Sequence, residues 1–146
     1  MKEKFKIKMP SDIYSLMKKY GRRKEENFYT ITLNAGHEVI KVHHITKGLV
    51  NRTIIHPREC FFPAIKDYAS AIIICHNHPS GSLEPSPEDQ NMTDRMSLAA
   101  HILGFTFLDS CIITKDSYHS SRQDGMIKEY SDKALDEYQY YSIKSI

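Results

Sequence analysis

The chain has 146 residues, enough for one domain to build its own core without disulfide or metal staples. Hydrophobic residues make up 40% and charged residues 26%, near the averages for globular proteins, and no run approaches the roughly eighteen consecutive apolar residues of a membrane span. A formal net charge of +2 gives no global drive towards nucleic acid. The opening MKEKFKIKMP lacks the apolar run and cleavage site of a secretory signal, so a single cytoplasmic domain over residues 1–146, with no membrane partner, is expected.

Pro10, Ser11 and Asp12 ahead of Ile13, Leu16 and Met17 predict a short amphipathic helix ending near Gly21. Its basic end, with Lys18, Lys19, Arg22, Arg23 and Lys24, suits the helix dipole. That run reads as a solvated helix end in preference to a phosphate-binding patch, which needs several cations on one face. Phe28 to Leu33 and Glu38 to Ile45, separated by Asn34-Ala35-Gly36, predict a hairpin. A short segment from Leu49 to Ile54 follows. His56-Pro57-Arg58-Glu59 then starts a second helix with apolar positions Phe61, Phe62, Ile65 and Tyr68, and Pro63 interrupts its pattern.

Ala71 to Cys75 is a continuous apolar run, the signature of a central strand buried on both faces. Ser86-Pro87-Glu88-Asp89 has the cap, proline and acids of a helix start, and that helix continues through Met92, Met96, Ala99 and Leu103 to Gly104. Phe105 to Thr114 predicts another strand, Ser117 to Ser121 a turn into an edge strand, and Ile127 to Tyr141 shows irregular helical spacing. Cys60, Cys75 and Cys111 form no CxxC pair and read as buried thiols.

The chemistry gathers where the central strand ends. In extended backbone His76 and His78 point to the same side, so two imidazoles converge on one point. Asp89, in the first turn of the next helix, is within reach through the loop of residues 79–87. Two nitrogens and an oxygen with a fourth position open is the usual arrangement of catalytic zinc. A hydrolytic site also needs a base, for which Glu26 and Glu59 are the upstream candidates. Ser86 is read either as a donor to a developing oxyanion or as a helix cap alone. His37, His43, His44, His56, His101 and His119 have no comparable context and read as surface or packing residues, with the adjacent His43 and His44 pointing to opposite faces.

His76-Asn77-His78-Pro79, then Ser86 after seven intervening residues and Asp89 after two more, resembles the JAMM (MPN+) metalloprotease motif. The longer strings HPREC, ASAIIICHNHPSGSLEPSPEDQNMT and LGFTFLDSCIIT are similar to the RadC family, over roughly Glu25 to Gly125. The resemblance implies a three-layer α/β/α fold with a mixed central sheet, similar to cytidine deaminases. It also implies one zinc ion held by His76, His78 and Asp89, Ser86 as transition-state donor and Glu26 as base, with Glu59 as runner-up. The chain departs from the family in two ways: the segment before Glu25 is too short for the helix-hairpin-helix region of longer relatives, and Ser110 stands where a histidine often follows Leu-Asp.

Two functions follow from these readings. One is a zinc-dependent hydrolase of amide bonds in a peptide or protein substrate. The other is a DNA repair-associated protein that binds DNA or a repair partner, with or without catalysis. A zinc-holding scaffold without activity is a third reading, and neither the substrate nor the oligomeric state is legible.

Overall fold

The computed structural model describes residues 2–47 and 55–133. Their order is α1 (Pro10–Met17), β1 (Asn27–Leu33), β2 (Val39–Lys47), α2 (Pro57–Lys66), β3 (Ala71–Asn77), α3 (Pro87–Leu103), β4 (Thr106–Ile113) and β5 (Tyr118–Ser120). The expected segment Leu49 to Ile54, and the helical spacing beyond residue 133, lie outside the described residues. No helix among them is long and apolar enough to cross a membrane.

The strands form one open sheet in the order β2-β1-β3-β4-β5. β3 and β4 run parallel and the other pairs are antiparallel, so the sheet is mixed, as expected. Period-2 alternation divides the core between its two faces. Tyr29, Ile31, Leu33, Ile73 and Cys75 pack with Ile13 and Met17 of α1. Phe28, Ile72 and Ile74 pack with Cys60, Phe61 and Ala64 of α2 and with Met92, Met96 and Ala100 of α3. The layers are therefore α1, the sheet, and α2 with α3. β3 is buried at all seven positions, and all three cysteines are buried free thiols.

Two helices differ from expectation. Helix α1 stops at Met17, and a 3-10 turn over Lys18–Arg22 takes up the basic residues, leaving none in the last turn of the α-helix. The cause is tertiary: a Cβ on Gly21 would lie 2.2 Å from the Thr114 carbonyl oxygen, so this backbone presses directly on the end of β4. In α2 only Phe61 of the four expected apolar positions is buried, beside Cys60 and Ala64. Phe62, Ile65 and Tyr68 are exposed because the sheet takes the stripe at 60, 61 and 64. The helix runs through Pro63. Phe61→Ala is expected to cost about 3–5 kcal/mol in urea unfolding, whereas Phe62→Ala should stay within about 0.5 kcal/mol. Equal losses would contradict this choice of face.

Candidate metal centre

The site is built by strand register. Phe28 lies opposite His76 in the antiparallel β1–β3 pair, so Glu26, two residues before Phe28, falls beside His78. All four project towards the α2–α3 face by the period of two. Asp89 joins them because it begins the core stripe of α3, buried together with Met92, Met96 and Ala100. The helix start is as expected: the Ser86 hydroxyl accepts from the Asp89 N–H at 3.1 Å, and the Asp89 carboxylate accepts from the Ser86 N–H at 2.9 Å.

His76 Nε2 and His78 Nε2 are 3.0 Å apart. Asp89 Oδ1 lies 3.2 Å from the first and Asp89 Oδ2 3.4 Å from the second. Glu26 Oε1 is 3.7 Å from His78 Nε2. A tetrahedral ion with bonds of about 2.0–2.2 Å sets its ligands about 3.3–3.6 Å apart, so the two imidazoles and Asp89 stand close to the edges of a small coordination polyhedron. Glu26, His76 and His78 also form a donor group able to hold a metal ion, with their donor atoms within 4.8 Å of one another. Both sets share the histidine pair and differ in the carboxylate.

Outer contacts orient the rings. His78 Nδ1 donates to the Ser82 carbonyl at 2.8 Å, so in the neutral ring Nε2 presents its lone pair to the cluster. The turn that returns Ser82 to His78 passes through Gly81 at φ +82°, a conformation that penalises a side chain. His76 stacks on Phe28, with ring centroids 6.1 Å apart. Burial opposes ionisation of Asp89, but the His76 and His78 imidazoles beside it and the Ser86 N–H hold its carboxyl well below the usual carboxylate range. The carboxylate is therefore anionic, as metal ligation requires.

The structure thus gathers His76, His78, Asp89, Ser86 and Glu26 but not Glu59. Glu59 instead lines a cavity of about 760 Å³ between β2 and α2, with Arg58, His43 and Asp67, and neither histidine of the pair nor Asp89 is among that cavity's described lining residues. The expected split of His43 and His44 holds, since His43 contacts Asp67 and His44 contacts Asn27. Ser110 hydrogen-bonds Thr93 at 2.8 Å behind α3.

One residue escaped the sequence reading. Asn77, between the two histidines, points to the opposite face, where its Oδ1 accepts from the Asn27 N–H at 2.7 Å and its Nδ2 donates to the carbonyls of Glu25 and Arg23. It clamps the segment that carries Glu26. The only sequence signal was a polar residue at a strand end, too general to be read.

A mixed α/β sheet with a histidine pair at the end of a central strand, and an acid at the start of the following helix, defines a domain of the JAB type. The sequence profile of the RadC-like JAB domain matches residues 7–126, and the chain belongs to this family. It is 43% identical over 128 residues to a UPF0758 protein of Methanospirillum hungatei, covering 86% of this chain and 57% of that protein. Identity is 41% over 124 residues with a UPF0758 protein of Alkaliphilus metalliredigens (84% and 53% covered). A UPF0758 protein of Staphylococcus haemolyticus is 42% identical over 124 residues (84% and 54% covered). The chain spans about half the length of these relatives.

Proposed function

We propose that this domain is a zinc-dependent hydrolase of amide bonds, acting on a peptide or isopeptide link. The observation that carries the reading is the spacing of His76, His78 and Asp89, at 3.0, 3.2 and 3.4 Å, with a second carboxylate, Glu26, beside His78. Buried, oriented imidazoles with one oxygen donor suit zinc, whereas oxygen-rich sites suit calcium or magnesium. When bound, zinc acts as a Lewis acid that lowers the pKa of water to about 7.

The chain's own residues divide the remaining work. His76, His78 and Asp89 hold the ion. Glu26 accepts the proton of the attacking water and passes it to the amine that leaves when the C–N bond breaks. The Ser86 oxygen accepts from the Asp89 N–H, which leaves its own O–H proton able to reach the oxyanion forming on the attacked carbonyl. Capping and catalysis are thus compatible at one hydroxyl.

The test is cleavage of mixed peptides and of lysine-linked isopeptides by the zinc-loaded chain, read by mass spectrometry as new amine ends. Cleavage is expected to stop with a chelator and return with zinc. Absence of cleavage by protein shown to carry about one zinc per chain would overturn the hydrolytic reading and leave a metal-holding scaffold.

A further inference from the structure

A second chemical feature lies on the other side of the sheet. Lys18, Lys19 and Arg22 of the 3-10 turn meet Lys115, which follows β4, around a concavity of about 440 Å³ closed by Tyr14. All four cations are exposed, and none of them meets a carboxylate within 4 Å among the described residues. Lys115 is 97 positions from Lys18, so this charge cluster is a product of the fold.

Two contacts build it. The missing Cβ of Gly21 lets the turn close onto the Thr114 carbonyl, one residue from Lys115. The Tyr14 hydroxyl donates to the Lys115 carbonyl at 3.3 Å, and the Tyr14 ring stacks on Tyr118 at 5.3 Å. The basic stretch then continues through Arg23, whose guanidinium lies over Tyr20, and Lys24 towards Glu26. Asn77 ties the carbonyls of Arg23 and Glu25 to the strand of the metal centre.

We propose that this concavity binds the phosphate backbone of a nucleic acid. Four cations around one hollow, none paired with a carboxylate among the described residues, supply what the basic run alone lacks, several charges on one face. Lysine and arginine bind phosphate through charge and hydrogen bonds without reading bases, so the contact is sequence-independent. A membrane surface fits less well, because none of the large exposed apolar side chains lines the concavity. This binding does not rest on the hydrolytic reading.

The test is fluorescence anisotropy of the zinc-loaded full chain with short labelled single-stranded and duplex DNA, from about 50 to 200 mM salt. The expected logarithmic slope of affinity against salt is about −0.7 to −0.9 for each phosphate neutralised. Lys18→Ala/Lys115→Ala should make that slope shallower by about 2 and weaken binding about tenfold or more. The equal charge change Lys41→Ala/Lys66→Ala, outside the concavity, should leave both nearly unchanged. Four results would overturn the proposal: no binding at the lowest salt, unchanged binding by the first pair, equal loss with the second, or equal affinity for polyglutamate or anionic vesicles. Because all four substituted lysines are exposed, loss of fold is not expected, and thermal unfolding checks it.

Discussion

His78→Ala is expected to reduce bound zinc from about one equivalent per chain to background, in protein purified without added metal and analysed by mass spectrometry of the element. The argument is geometric. His78 Nε2 stands 3.0 Å from His76 Nε2 and 3.4 Å from Asp89, and its other nitrogen is already committed to the Ser82 carbonyl. Removing this ring takes away a donor whose orientation the loop through Gly81 exists to hold. Loss of an outer-shell partner alone typically costs about 10- to 100-fold in metal affinity, and loss of a ligand costs more. The fold should survive, since both apolar clusters lie elsewhere, so near-native unfolding in urea should accompany the metal loss. Unchanged metal content in the variant would sink the assignment of the site.

Glu26→Gln carries the second large effect and separates the two carboxylates. If Glu26 is the base, the amide variant keeps about one zinc and its fold but loses about 10²- to 10⁴-fold in turnover, because a neutral amide cannot take the proton. Asp89→Asn should do the reverse and weaken zinc retention. The alternative donor group of Glu26, His76 and His78 predicts the opposite pair of outcomes, with zinc lost from Glu26→Gln and kept by Asp89→Asn. The edges of 3.2 and 3.4 Å to Asp89, against 3.7 Å from Glu26 to His78, favour the first outcome. Full activity in Glu26→Gln would move the base to another residue.

Most of the architecture was legible because it rests on local periodicity. The buried run Ala71 to Cys75 is the central strand, Asn34-Ala35-Gly36 is a hairpin turn, and Ser86 with Pro87 begins a helix that Gly104 ends at φ +83°. Each of these is a property of neighbouring residues. The apolar face of α2 was misread because spacing alone admits two stripes, and only packing on β1 and β3 selects Cys60, Phe61 and Ala64. The end of α1 was misread because contact with β4 at Gly21 stops the helix earlier than propensity would.

For the metal centre the division is similar. His76 and His78 were readable as a pair from the strand period alone, and Asp89 and Ser86 from their place in a capping box. The sequence by itself therefore determined which elements carry the candidate ligands His76, His78 and Asp89. The residues alone left Glu26 and Glu59 open, and the family resemblance preferred Glu26. The tertiary structure brings Glu26, and not Glu59, beside the histidines because β1 lies antiparallel to β3 with Phe28 opposite His76. The same holds for Lys115 and the basic run, joined across 97 positions by the docking of Gly21. The physical reason is common to both: periodicity orients neighbours within one element, whereas residues far apart in the chain meet only when sheet order and close backbone contact bring their elements together.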